Sequence, residues 1–189
     1  MIRRVPSAGL QRAVLRTGMR PTRWLLAVSV ADQRMNLWER AKPTLPTASA
    51  ARFPEYLFRR CYVVSTSRFG VGQVIDSKRT PLGLHRIARK IGGGDPIGTV
   101  FKARQPIGFT WQGHLDATIV HRILWLEGLE AGLNRGGAVD TFRRYIYIHG
   151  YADETTLGRP QSCGCIHLGA ADLIPLYDRL PVGTLVWIE

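Results

Sequence analysis

Short runs with a two-residue alternation, broken by turn residues, commit most of this chain to β-structure. Leu26, Val28 and Val30 alternate against Ala27 and Ser29; "ADQR" follows as a turn and "MNLW" as a return strand, which together predict a β-hairpin. "CYVVSTS" at 61–67 is rich in β-branched residues, and "RTPLGLHRIARKI" enters a further strand through Pro and Gly. "ATIVHRILWL" at 117–126, "RRYIYIHG" at 143–150 and "TLVWI" near the end complete the set of predicted strands. In the second of these, Tyr145 and Tyr147 alternate against Ile146 and Ile148. The spacing of Leu173, Leu176, Tyr177 and Leu180 gives one helical face. Pro175 lies inside that segment, so the helix is expected to be short or kinked. "AKPTLPTASA" and "IGGGDPIG" (91–98) read as loops. The second is a poor phosphate cradle, since no Lys-Ser/Thr follows its glycines.

The 189 residues, 45% of them hydrophobic, suffice for one domain with an ordinary core. The longest uncharged, largely apolar run, Trp24 to Ala31, is eight residues long. That is far short of the roughly 20 a membrane-spanning helix needs, so no integral membrane segment is expected. Three cysteines do not make the disulfide lattice of a small secreted scaffold.

Positive charge is unevenly spread. Arg3, Arg4, Arg12, Arg16, Arg20 and Arg23 all precede the first acid, Asp32, and so carry six of the twelve net positive charges. This start lacks the apolar core of a signal peptide; residues 1–23 are expected to be a flexible basic tail, with the folded domain over 24–189. The remaining +6 suits a partner rich in carboxylates. No basic helix or aromatic stacking motif points to nucleic acid.

Chemistry concentrates in "RPQSCGCIHLG" (159–169), where Cys163 and Cys165 flank Gly164 and His167 follows. A cysteine nucleophile needs a base to take its proton or a field that lowers its pKa, and a nearby histidine supplies both. His149 ends a predicted strand and precedes Gly150, so its ring can project from a sheet edge into a cleft. Gly164 lets the chain turn sharply and could aim its own N–H and that of Cys165 at a developing oxyanion. Cys163, Cys165, His149 and His167 are also a suitable donor set for tetrahedral zinc, although C-x-C is not the usual ligand spacing.

Taken together, "IYIHG", then "SCGCIHL", the amphipathic helix and "VGTLVWI" resemble the catalytic core of the L,D-transpeptidase (YkuD-type) family. The likeness extends back through "LLAVSVADQRMNLWE", "YVVSTS", "KRTPLG" and "LWLEGLEAGLN", with His149 sixteen residues before Cys165. The resemblance implies a mainly β, sandwich-like fold with one or two short helices. It also implies an enzyme whose cysteine attacks a peptidoglycan stem peptide at the meso-diaminopimelate carbonyl and passes the acyl group through a thioacyl-enzyme to an acceptor amine. With water as acceptor the same chemistry is an L,D-carboxypeptidase; a non-catalytic wall-binding module and a zinc-binding module are further alternatives.

Carried over position by position, Cys165 is the nucleophile, His149 the base, Gly150 the carbonyl that orients the imidazole, and Gly164 with Cys165 the oxyanion amides. Ser162, His167 and Tyr147 fall in the substrate-binding set. Two positions depart from the family pattern: Cys163 stands where His is frequent, and His167 where Arg or Asn is common. A histidine is a weaker, pH-dependent charge than arginine. The resemblance further implies no cofactor and no metal, acylation of Cys165 by carbapenems, and residence in the periplasm or cell envelope, although no signal peptide is visible in the sequence.

Overall fold

The computed structural model describes residues 3–4, 7–42, 53–114 and 116–189. Among the described residues, eleven strands form one sheet. In chain order they are β1 (Arg3–Arg4), β2 (Trp24–Ser29), β3 (Arg34–Arg40), β4 (Tyr56–Ser65), β5 (Gly83–Ile91), β6 (Thr99–Lys102), β7 (Gln105–Phe109), β8 (Val120–Gly128), β9 (Tyr147–Gly150), β10 (Ile166–Leu168) and β11 (Leu185–Ile188). Two α-helices accompany them, α1 (Ala8–Thr17) and α2 (Ala170–Arg179). The hairpin read from alternation is β2–β3, paired from Trp24–Glu39 to Ser29–Arg34. The loop segment at 43–50 lies outside the described residues.

The sheet runs β5-β11-β2-β3-β4-β10-β9-β8, and β8 pairs back onto β5, so the ring closes. The two layers of the expected sandwich are therefore continuous, and closure removes free edges around the ring. The β6–β7 hairpin hangs from β8. Most pairings are antiparallel, but β11 runs parallel to β2, and β10 runs parallel to β9, with Ile166 beside Ile148 and His167 beside His149. The β9–β10 pairing brings the two halves of the sequence motif together.

Strand alternation then sorts side chains between faces. Leu124, Leu126, Ile146, Ile148, Ile166 and Leu168 enter the main core with Leu173, Leu176 and Tyr177 of α2. Ile123, Trp125 and Tyr147 form a second cluster on the other face, against which Cys165 packs. In the register, Trp125 opposes Tyr147 and Ile123 opposes His149. The predicted helix is α2, ten residues with Pro175 inside it, and Leu180 is its C-cap.

Two expectations are corrected. Residues 1–23 are not a flexible tail throughout, because residues 8–17 form α1. Ser7 caps the helix by accepting the Leu10 N–H, and Gly18 ends it in the left-handed region at φ 65°. Leu10, Ala13 and Val14 are each 1% exposed, in a cluster with Leu25, Leu84 and Leu185. Burial of the larger two contributes on the order of 2 kcal/mol each, enough to dock an arginine-rich segment whose charges face outward. Arg16 also pairs with the buried carboxylate of Glu130. The strand expected over 143–150 is the other correction, since β9 begins only at Tyr147. The Asp140 carboxylate accepts the N–H groups of Gly136 (2.8 Å) and Arg143 (3.0 Å). These bonds hold a turn there, from which the chain leaves through Tyr145 at φ 56°.

Candidate active site

Cys165 sits at the end of a loop fixed by main-chain bonds. The N–H groups of Gln161 and Ser162 both donate to the Thr66 carbonyl at 2.9 Å, and Arg68 N–H donates to the Ser162 carbonyl at 3.1 Å. Ser162 Oγ donates to the Cys165 carbonyl at 2.6 Å and accepts the Gly164 N–H at 3.2 Å. Thr80 Oγ1 donates to the Gly164 carbonyl at 3.1 Å. Gly164 has φ 120°, and a Cβ there would lie 3.2 Å from Ile146 Cδ1 and 3.3 Å from the Arg79 carbonyl oxygen. Only glycine makes this turn without strain. The Gly164 amide is thus engaged by Ser162, which departs from the expectation that it points at an oxyanion.

The half-buried thiol of Cys165 lies between two main-chain groups of the neighbouring strand. It accepts the Tyr147 N–H at 3.4 Å and donates to the Tyr145 carbonyl at 3.5 Å. The left-handed turn at Tyr145 delivers both groups. Burial pushes the thiol pKa up to about 11, with Cys163 adding to the rise, while the Tyr147 N–H and Arg144 act in the opposite direction.

His149 is 2% exposed, and its Nδ1 lies 2.7 Å from the Gly150 carbonyl oxygen. A carbonyl only accepts, so Nδ1 carries the proton and Nε2 is the basic nitrogen. Burial lowers the pKa to about 4, partly offset by the Gly150 carbonyl. At Gly150 a Cβ would lie 2.4 Å from His121 Cδ2 and 2.6 Å from the Val120 carbonyl oxygen, so a side chain there would push β9 off β8.

His149, Ser162, Cys163, Cys165 and His167 line one pocket of about 260 Å³, which also includes Thr118, Tyr151 and Gln161. His167 is 6% exposed. Its ring meets that of His149 at 4.9 Å and stacks on Tyr151 at 4.5 Å. Burial, reinforced by His149, lowers its pKa to about 3, and its buried Nδ1 has no hydrogen-bond partner among the described residues. A second pocket of about 270 Å³ meets the first at Cys163 and carries Lys78, Arg143, Arg144 and Asp76.

Of the expected site residues, Gly150, Gly164 and Tyr147 are not in the pocket lining; the two glycines enter through their backbone, and Tyr147 is the one with a side chain elsewhere. Alternation turns its ring against Trp125, edge to face at 5.4 Å, and its hydroxyl accepts from Arg104 at 3.3 Å. It meets Cys165 through its amide instead. Tyr151, Thr80 and Arg144 were missed by sequence reasoning: Thr80 lies in "KRTPLG" and Arg144 in "RRYIYIHG", but nothing in either stretch marks the residue for the site. Among the described residues no group of three or more His, Cys, Asp or Glu side chains is disposed to hold a metal ion. No described helix is long and apolar enough to cross a membrane.

The family model for the L,D-transpeptidase catalytic domain (YkuD) matches residues 23–188. Similar solved structures include the LD transpeptidase LdtMt1 in complex with imipenem, at 14% identity and TM-score 0.50, over 88% of this chain and 59% of that one. Bd1075 of Bdellovibrio bacteriovorus is similar at 13% identity and TM-score 0.53, over 89% of this chain and 48% of that one. At such identities the likeness shows a shared fold, and this chain spans less than two thirds of either relative. The search of curated proteins gave no match.

Proposed function

Because this chain belongs to the L,D-transpeptidase catalytic domain (YkuD) family, we propose that it is a peptidoglycan L,D-transpeptidase of the cell envelope that uses Cys165 as its nucleophile. The observation that carries the reading is the setting of that thiol, held by the Tyr147 amide and the Tyr145 carbonyl in the same pocket as His149. Cys165 Sγ attacks the meso-diaminopimelate carbonyl of a donor stem peptide. As the S–C bond forms, the thiol proton passes to His149 Nε2 and on to the departing amine of the terminal D-alanine, whose C–N bond breaks. An acceptor amine then attacks the thioester. The N–C bond forms, the C–S bond breaks, and the proton returns through His149 to the sulfur. With the Gly164 amide taken by Ser162, the Cys165 amide is the remaining donor of that pair for the oxyanion.

Imipenem complexed to a structural relative supports testing the thiol with a carbapenem. Incubation with imipenem should add one drug mass to the intact protein, peptide mapping should find it on Cys165, and Cys165→Ala should take up none. The same variant should lose all turnover of a stem tetrapeptide. An adduct on Cys61 or Cys163 alone, or full turnover by Cys165→Ala, would overturn the mechanism.

A further inference from the structure

β8 carries two residues that its partner strand does not match. Val120 pairs with Gly150 and Ile123 with His149, so His121 and Arg122 bulge out of the ladder opposite the base and the glycine that orients it. His121 has φ 69°, in the left-handed region where a histidine is uncommon. Strained backbone of this kind persists only where its surroundings hold it. Here Arg122, itself 6% exposed, turns back and donates to the His121 carbonyl at 2.7 Å. The Gly98 N–H donates to His121 Nδ1 at 2.8 Å, and the Gly98 carbonyl accepts the Thr110 N–H at 2.9 Å, so the loop that grips the ring is fastened in turn. Burial lowers the pKa of His121, with Glu154 acting against it and Arg122 with it; the ring is neutral and Nδ1 can accept.

Held in this way, the His121 ring fills the space that a side chain at position 150 would need, since a Cβ there would lie 2.4 Å from His121 Cδ2. The Gly150 carbonyl keeps the proton on His149 Nδ1, at 2.7 Å, and so leaves Nε2 basic. A glycine has no side chain with which to fix its own peptide, so the direction of this carbonyl depends on what packs against it. We propose that His121 is a positioning residue for the base: gripped by the Gly98 amide, its imidazole braces Gly150, whose carbonyl holds His149 as the Nδ1–H tautomer with Nε2 free for the thiol proton. The inference rests on the reading of His149 as that base. His121 is not part of the pocket lining and acts through Gly150, so its loss falls on the proton transfer and not on substrate binding.

The test compares His121→Asn with His121→Gly in the full chain. Asparagine tolerates a left-handed φ and carries Oδ1 and Nδ2 where histidine carries Nδ1 and Cδ2, so it keeps the acceptor for Gly98 and the atom against Gly150. Glycine relieves the backbone and removes both. The ring nitrogen chemical shifts of His149, assigned by their loss in His149→Gln, should show the Nδ1–H tautomer alone in native and His121→Asn protein and a mixture of tautomers in His121→Gly. For a stem tetrapeptide, His121→Gly should lower kcat on the order of tenfold at unchanged KM, the scale of a misplaced catalytic group, and His121→Asn should restore it. Adding His121→Gly to His149→Gln should cost nothing further, because both act through one imidazole. An unchanged His149 tautomer in His121→Gly overturns the proposal, as do losses that add in the double variant, or His121→Asn as impaired as His121→Gly. Should His121→Gly fail to fold, His121→Phe, which fills the buried space but offers Gly98 no acceptor, takes its place in the same measurements. If neither a stem peptide nor imipenem acylates Cys165, the transpeptidase reading falls and the catalytic sense of this inference with it; acylation with an indifferent tautomer removes the inference alone.

Discussion

Raising the pH should activate Cys165 toward an alkylating agent without a plateau in the neutral range. The thiol is held at about 11 and the imidazole at about 4, both by burial. Both shifts disfavour the charged forms, so both oppose transfer of the thiol proton to the imidazole at rest. The resting dyad is then a neutral thiol and a neutral imidazole in one pocket. Because the thiolate is the nucleophile, iodoacetamide modification should rise about tenfold per pH unit from 6 to 9. The assay is quenched-flow labelling with peptide mapping, which separates Cys165 from the exposed Cys61 and Cys163. A rate independent of pH between 6 and 9 would mean a thiolate–imidazolium pair at rest and would refute the reasoning. For turnover by the proposed mechanism, neutral His149 is the active form. Its capacity as base is full well above pH 4 and is lost as pH falls through about 4, so the acid limb of kcat/KM should lie near 4 instead of 6.5.

Other perturbations have outcomes of known sign. His149→Gln should unfold as cooperatively as the native chain in urea while losing on the order of 10² or more in kcat, the scale of a lost proton transfer; native kinetics would exclude it as base. Gly150→Ala forces a methyl to 2.4 Å from His121 Cδ2, so it should lower stability by ~1–3 kcal/mol, read in urea, and cost activity by moving the carbonyl that holds His149. His85 is wholly buried and its pKa is lowered to about 4 by that burial. The unfolded chain therefore binds the proton more tightly, and the stability involved is complete above pH 6.5 and lost as pH falls toward 4. It amounts to about 3 kcal/mol, and the stability gap between native and His85→Gln protein should shrink accordingly between pH 7 and pH 4.

Alternation marked the β2–β3 hairpin, while turn residues and β-branched or apolar runs marked β5, β8 and β11; all of these strands send side chains into the apolar clusters. β9 was read too long because the pattern 143–150 alternates while Asp140 ties its first residues into a turn. The signals for α1 were present too: Ser7 before it, Gly18 after it, and Leu10, Ala13 and Val14 at helical spacing. Six arginines without an acid outweighed them in the reading of residues 1–23. What a sequence does not carry is the docking surface of Leu25, Leu84 and Leu185 that makes the helix worth forming. At the site, Cys165 and His149 stood out through local motifs, whereas Tyr151 and Arg144 act only because β9, β10 and the 72–79 loop converge.

The same convergence explains why the motif is so short. Three of the contacts that set the reacting atoms are main-chain groups: the Tyr147 amide and Tyr145 carbonyl on the sulfur, and the Gly150 carbonyl on the imidazole. Main-chain groups have no residue identity, so they constrain sequence only where the backbone must pass close or turn left-handed, at Gly150 and Gly164. On the proposed reading the pocket walls meet the substrate through side chains, and Cys163 lines both pockets and His167 one of them. The closed sheet holds Cys165 and His149, leaving those walls free to vary with what must be bound. A change at 163 or 167 should accordingly appear in substrate preference before it appears in the reactivity of Cys165 toward a small alkylating agent, whose rate the buried thiol and its two main-chain partners govern.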